Sequence, residues 1–283
     1  MIRPLTDRVI VITGANIGIG HAAAAELARR GARLRLLCRS LAKASPVVDE
    51  LRTIAGHPDV LAIECDLGSL ASVRSAAQNV LARDEPLHVL INNAGVAGQR
   101  GITSDGFELQ FGVNHLGHFL LTTLLLDRLR ASAPARIVHV ASSNHRSARG
   151  IDWAAVRRPT ASISGVPEYD VSKLANVLFS AELARRLADS GVTSYAVNPG
   201  RVASNIWQRI PWPFRQLFKM TMLTTEQGAQ STVHAATSSD VISGRYYGKR
   251  STEEPVSARA LDTALATELW MRSEAWVAQL TSG

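Results

Sequence analysis

Tyr169 and Lys173, in the run Tyr169-Asp170-Val171-Ser172-Lys173, are four residues apart, so on a helix they share one face with their ends close together. A phenol ionises near pH ~10, too high for ready proton exchange at neutrality, and a neighbouring ammonium would stabilise the phenolate and lower that value. Such a pair is an acid/base suited to a carbonyl and its alcohol. A serine hydroxyl could hydrogen-bond the substrate oxygen as negative charge develops on it. Ser142 and Ser143 both end a strand-like run, and strand alternation sends them to opposite faces; Ser143 is the residue chosen here. Near the N-terminus, Thr13-Gly14-Ala15-Asn16-Ile17-Gly18-Ile19-Gly20 follows a strand-like run and opens a helix. Glycines there permit a tight turn and let backbone N–H groups approach a pyrophosphate at the positive end of a helix.

The elements that must position these residues follow from the alternation of short β-branched apolar runs with longer Ala/Leu-rich stretches, the pattern of a parallel sheet covered by helices on both faces. Strands are predicted at 8–13, 33–38, 60–64, 87–92, 136–142 and 193–198, and helices at 18–30, 43–55, 69–83, 107–131 and 168–190. A strand-like piece near Tyr246 and Tyr247 and a final helix over about 258–280 complete a doubly wound Rossmann-type α/β domain of about seven strands. The chain contains no Gly/Ser/Pro-rich linker and no internal repeat, so residues 1–283 are read as one domain.

Composition narrows the function classes. The 283 residues are 46% hydrophobic and 19% charged, ordinary for a globular protein. Cys38 and Cys65 both adjoin apolar runs, so a disulfide framework is not the organising principle and a reducing, cytoplasmic setting is expected. The start Met1-Ile2-Arg3-Pro4-Leu5 is not that of a secretory signal, and no apolar stretch reaches the ~18 to 20 residues of a membrane span. The net charge of +7 favours phosphate-bearing ligands, but no basic run is interleaved with aromatics, so nucleic acid is not expected as a partner. Nor is a metal.

Taken together the motifs resemble the short-chain dehydrogenase/reductase family. The resemblance rests on the glycine turn, Asn92-Asn93-Ala94-Gly95, Asn114, Ser142-Ser143, the tyrosine–lysine pair and Asn198-Pro199-Gly200, all in the family's order. Cys38-Arg39-Ser40, the run from Phe111 to Thr122, the run from Ser172 to Phe179 and the long gap before Tyr169 look most like its retinol dehydrogenase-like, NADP-preferring branch. The resemblance implies catalytic roles for Asn114, Ser143, Tyr169 and Lys173, with Lys173 also holding the nicotinamide ribose and Asn114 anchoring a water in a proton relay. It implies a dinucleotide bound by Gly14, Asn16, Gly18, Ile19, Gly20, Asn93, Ala94, Gly95, Tyr169, Lys173, Pro199, Gly200 and Val202. Asp66, with Leu67 beside it, matches the aspartate that meets the adenine ring, and it could also cap the following helix. Ser204 takes the place of a threonine near the nicotinamide amide. Cys38 stands where NAD-preferring relatives carry aspartate, and Arg39 and Ser40 follow; a guanidinium can make paired bonds to a 2′-phosphate, so NADP(H) is the expected cofactor.

Specificity is expected from the loops 96–106, 144–168 and 201–223. The stretch between Ser143 and Tyr169 is longer than in many family members and is read as an insertion over the pocket rim. Trp207, Trp212, Phe214, Phe218, Met220 and Met222 suit a lid of about 201–223 over a bulky apolar carbonyl such as a retinoid, a steroid or a polycyclic aromatic ketone. The expected activity is NADPH-dependent reduction of that carbonyl to the alcohol. The rival readings are an NADP(H)-binding sensor with little turnover and a double-bond reductase on the same scaffold. Peripheral membrane contact is suggested only by Arg209, Arg215 and Lys219 among the aromatics, and a homodimer or homotetramer through the helices at 107–131 and 168–190 is what the family implies.

Overall fold

A computed structural model describes residues 4–200, 202 and 223–279. Seven parallel strands form one sheet in the order β3-β2-β1-β4-β5-β6-β7. They are β1 (Val9–Thr13), β2 (Arg33–Cys38), β3 (Val60–Glu64), β4 (Val89–Asn92), β5 (Ala135–Val140), β6 (Val192–Val197) and β7 (Tyr246–Tyr247). The strand order reverses direction at β1, between β2 and β4, which opens a crevice at the carboxyl ends of the strands.

Successive side chains along each strand point to opposite faces, and both faces are apolar. Val11, Leu37, Leu90 and Ile137 enter one core and Ile10, Ile12, Leu36 and Val138 the other. Helices α1 (Gly18–Arg29), α2 (Leu41–Ala55) and α7 (Thr225–Thr237) cover one face. The other is covered by α3 (Leu70–Leu81), α5 (Gly117–Ala131), α6 (Val166–Arg186) and α8 (Thr263–Gln279).

Four features differ from the sequence reading. The predicted helix over 107–131 is a short α4 (Leu109–Phe111), a π-turn (Gly112–Leu116) and α5. Helix α7 was not predicted at all: its sequence is polar and rich in small residues, and what starts it is the capping box of Thr224 and Gln227. Strand β5 stops at Val140, short of the predicted 142, with consequences for the serines that follow. The final helix is preceded by a separate 3-10 turn at Ala258–Leu261. Helix α8 lies against α6, with Trp270 edge-on to Phe119 of α5 at 5.1 Å and against Phe179 of α6 at 5.8 Å. That face of both helices is covered by the chain's own α8. The proposed lid at 201–223 lies, apart from Val202 and Leu223, outside the described residues.

Candidate active site

The glycine turn is held by the end of the neighbouring strand. Thr13 Oγ1 accepts the N–H groups of Asn93 and Ala94 at 2.9 and 3.0 Å, and the Asn93 carboxamide donates to the carbonyl of Thr13 at 2.8 Å. Gly14 has φ +65°, and a Cβ there would lie 2.8 Å from that of Ala94; a Cβ on Gly20 would collide with the Gly14 carbonyl and the Asn93 amide. Only hydrogen fits at both places. Helix α1 then begins with no side-chain cap at Ile17 and no acidic residue in its first turn, so its leading N–H groups, those of Gly18, Ile19 and Gly20, have no side-chain acceptor at the N-cap. An uncapped helix start behind a glycine turn fits a pyrophosphate.

At the end of β2 the buried Cys38 sulfur accepts the amides of Ala15 and Asn16, while burial pushes its thiol pKa up. Arg39 beside it is exposed and has no hydrogen bond or ion pair to any described residue. The Ser40 hydroxyl caps α2, accepting from Lys43 N at 3.4 Å. Asp66 is half-buried and its carboxylate accepts the amide of Gly68 at 2.9 Å. It does not cap α3, as the sequence allowed; Ser69 does that. Leu67 beside it is buried. Beyond β6, Asn198 Oδ1 accepts the amide of Gly200, whose φ is +79°, and Val202 is buried against Gly228 of α7 and near Ile19 of the glycine turn. Ser204 lies outside the described residues.

Asn114 sits in the π-turn and is fully buried. Its carboxamide spans the loop after β4, accepting Val96 N at 2.8 Å and donating to Val96 O and to Ser172 Oγ, each at 2.9 Å. Its backbone carbonyl faces His118 Nδ1 at 3.0 Å, and His118 Nε2 lies 2.8 Å from Thr13 Oγ1. A nitrogen facing a carbonyl carries the proton, so Nε2 accepts from the threonine hydroxyl. Burial lowers the His118 pKa to about 4 and keeps the ring neutral. Gln110, also fully buried, accepts Gly98 N at 3.0 Å and donates to the Gly165 carbonyl at 2.5 Å, tying the loop after β4 to the start of α6. The sequence reading missed both His118 and Gln110, although the run Phe111 to Thr122 contains the first.

On α6, Lys173 is buried and donates from Nζ to the carbonyl of Val140 at 2.9 Å. Among the described residues no carboxylate pairs with it, and burial lowers its pKa to about 8. Its Nζ lies 5.5 Å from the centre of the Tyr169 ring. The expected depression of the tyrosine does not occur in this arrangement. Burial of the phenolate dominates and pushes Tyr169 up to about 12, a hydrogen bond with Ser142 opposes the shift, and the charge of Asp170 adds to it.

That interaction favours Ser142 over the expected Ser143. Ser142 remains extended, with φ −167° and ψ 156°, whereas Ser143 is already the first residue of a 3-10 turn, Ser143–Arg146. The hydroxyl that the end of β5 directs at Tyr169 is therefore that of Ser142, and no described contact joins Ser143 to the tyrosine. Ser142 and Asn144 also exchange bonds: the serine oxygen accepts Asn144 N at 3.2 Å and its hydroxyl donates to Asn144 Oδ1 at 3.3 Å. The long segment before Tyr169 packs on α4, where Glu108 accepts from Thr160, Gln110 and Phe111. Its turn exposes Ile163 and Val166, and Ile102 is exposed on the 96–106 loop.

Among the described residues there is no cluster of metal-ligating side chains, and no helix is long and apolar enough to cross a membrane.

Comparison with known proteins gives the same family throughout. The profile of the family described as short chain dehydrogenase matches residues 8–212. Human retinol dehydrogenase 11 is 44% identical over 274 residues, covering 94% of this chain and 84% of that protein. Human retinol dehydrogenase 14 is 41% identical over 295 residues, covering 96% and 87%. Among solved structures, an uncharacterised protein from Mycobacterium paratuberculosis superposes with a TM-score of 0.79 at 36% identity, covering 98% of this chain and 95% of that one. The NADP active-site complex of Pseudomonas aeruginosa RhlG superposes with a TM-score of 0.69 at 25% identity, covering 87% and 95%. With a glycine turn fit for a dinucleotide and a buried lysine beside a half-buried tyrosine and serine at the same crevice, this chain belongs to the short-chain dehydrogenase/reductase family and is an oxidoreductase acting between carbonyl and alcohol.

Proposed function

We propose that the protein reduces the carbonyl of a bulky apolar ketone or aldehyde, of retinoid, steroid or polycyclic aromatic type, using NADPH. The observation that carries the cofactor preference is the end of β2, where a neutral buried Cys38 precedes an exposed Arg39 with no partner among the described residues. A guanidinium there can form charge-assisted bonds to a 2′-phosphate, and Cys38 puts a neutral thiol at the strand position where a carboxylate would repel one. The retinol dehydrogenase relatives and the exposed apolar side chains Ile102, Ile163 and Val166 on the segments expected to set specificity support the substrate class.

The bound nicotinamide supplies a hydride to the carbonyl carbon. The residues of the chain handle the oxygen and the proton. Ser142 donates a hydrogen bond to the carbonyl oxygen, the role first assigned to Ser143, and its donation strengthens as the oxygen gains charge. Tyr169, a neutral phenol over the whole physiological range, gives its proton to that oxygen, so hydride plus proton yield the alcohol. Lys173 stabilises the phenolate that results and holds the ribose. Asn114 braces the turn beside Lys173. The glycine turn, Asn93, Ala94 and Gly95 would cradle the dinucleotide, with Asp66 and Leu67 the residues for the adenine and Pro199, Gly200 and Val202 those for the nicotinamide, where Ser204, outside the described residues, is expected as well. A homodimer or homotetramer would form through surfaces that α8 leaves open.

Cofactor oxidation against a panel of retinal, steroid ketones, polycyclic aromatic ketones and aliphatic aldehydes tests this reading. The expected result is turnover with NADPH that disappears in Tyr169→Phe. Arg39→Ala is expected to raise KM for NADPH by about 10- to 100-fold, the worth of a hydrogen bond to a charged group, and to leave NADH use unaltered. A wild-type preference for NADH overturns the cofactor assignment.

A further inference from the structure

Next to the reacting hydroxyls lies a polar chain that the reaction as described does not use. Asp170 follows Tyr169 on α6 and is only 8% exposed. Its Oδ1 accepts from Asn144 Nδ2 at 2.6 Å, a short bond of the charge-assisted kind. Because the Asn144 nitrogen is held by the carboxylate, its oxygen must face the other way, and there it accepts the Ser142 hydroxyl. The Asn144 backbone amide meanwhile donates to the same serine oxygen. Without substrate, Ser142 thus has its oxygen fixed by the Asn144 backbone amide and its one proton parked on the Asn144 carboxamide oxygen, from which it turns to a bound carbonyl, and Asn144 is oriented in turn by Asp170. We infer that Asn144 and Asp170 are positioning residues for the Ser142–Tyr169 pair, the carboxylate fixing the Asn144 carboxamide and the carboxamide fixing the serine hydroxyl.

The carboxylate has a second effect through its charge. The titratable and charged side chains around the phenol and its neighbour Tyr246 come from α6 (Glu168, Asp170, Lys173), from the 3-10 turn after β5 (His145, Arg146) and from the segment behind β7 (Glu254). Glu168 is turned to the amides of Ala161 and Ser162. Arg146 and Glu254 pair with each other, and Tyr246 is a buried neutral phenol. Among the carboxylates of this group Asp170 is the one that acts on Tyr169, and it disfavours the phenolate, opposite in sense to the Lys173 ammonium 5.5 Å from the ring. It adds to the burial that keeps the acid protonated for reduction.

This inference rests on the assignment of Ser142 and Tyr169 as the reacting pair, and three variants of the full-length protein test it. Asp170→Asn keeps an oxygen for Asn144 and removes the charge; Asp170→Ala removes both; Asn144→Ala releases Ser142, with Asn144→Ser as the substitute if that variant does not fold. Ionisation of Tyr169 is followed by the 13Cζ chemical shift of labelled tyrosine, assigned through Tyr169→Phe, which requires no turnover. The expected results are onset of Tyr169 ionisation at lower pH in Asp170→Asn by about half a unit or more, and kcat reduced about 3- to 10-fold in Asp170→Ala and Asn144→Ala with NADPH affinity unchanged. An unmoved Tyr169 titration in Asp170→Asn, or a wild-type kcat in Asn144→Ala, overturns it. Turnover that survives Tyr169→Phe instead overturns the proposed function, and the two failures are told apart by that control.

Discussion

Among the described residues two cations, Arg35 and Lys173, are buried at opposite ends of the same sheet, and they are treated in opposite ways. Arg35, on β2 near the amino ends of the strands, is completely buried, with Glu85 at 2.6 Å and Asp59 at 2.7 Å. Burial works against its charge, but the hydrogen bonds and attraction of the two carboxylates outweigh it and raise its pKa, and those of Glu85 and Asp59 fall in return. Lys173, at the carboxyl ends, is just as enclosed but is given only a backbone carbonyl, and its pKa falls to about 8. A buried charge with its counterions is neutralised and inert, whereas one left without them keeps an unsatisfied field that another group can use. The difference separates the end of the fold that holds the strands in register from the end that does chemistry.

The comparison can be broken at either end. The largest effect is expected from Tyr169→Phe, which deletes the acid that Lys173 flanks: turnover falls about 10²- to 10⁴-fold while the melting temperature stays close to that of the wild type. At the other end, Glu85→Ala leaves Arg35 buried beside a missing partner and is expected to cost about 3–5 kcal/mol in denaturant unfolding, with KM for cofactor unaltered in the folded fraction. A loss of activity that exceeds the loss of folded protein would show that the Arg35 cluster reaches the site.

Smaller effects sharpen the contrast. The folded-state pKa of Lys173 lies below its value in the unfolded chain, so at neutral pH burying the charged form opposes folding. Between about pH 8 and the ordinary lysine range near 10.5 the unfolded chain holds the extra proton, and stability contributed at this site rises with pH. Lys173→Met is therefore expected to be more stable than the wild type at neutral pH, with the gap narrowing as pH rises through that window. Tyr169 runs the other way: its folded pKa of about 12 exceeds the ordinary phenol value near 10, so its contribution is complete below pH ~10 and is lost as pH rises toward 12. In steady-state rates, carbonyl reduction is expected to be flat across neutral pH and alcohol oxidation to climb with pH, since the first needs the phenol and the second the phenolate. A bell centred near neutrality would contradict the assignment of Tyr169.

Much of this site was legible from spacing. The glycine turn, the Asn-Asn-Ala-Gly strand end and the tyrosine–lysine pair are local patterns, and the six long strands were placed to within two residues because their apolar runs are continuous. Legibility failed where a residue's environment comes from elsewhere in the chain. Ser142 and Ser143 are alike in sequence, and the end of β5 at Val140 with the turn that follows decided between them. Asp170 was read past as part of a helix, because its partner Asn144 lies 26 positions away. Helix α7 has weak apolar contrast, although the pair Thr224 and Gln227 was a signal that could have found it.

The sequence by itself determined the alternation of strands and helices, the cofactor-fit turn and the reacting residue types, since each depends on side chains near one another along the chain. The tertiary structure alone decided which serine faces the phenol, that Lys173 is buried without a counterion while Arg35 is buried with two, and that Tyr169 is pushed up rather than down. Those are outcomes of burial and of distance through space, and desolvation acts on a group only once the rest of the chain has closed around it.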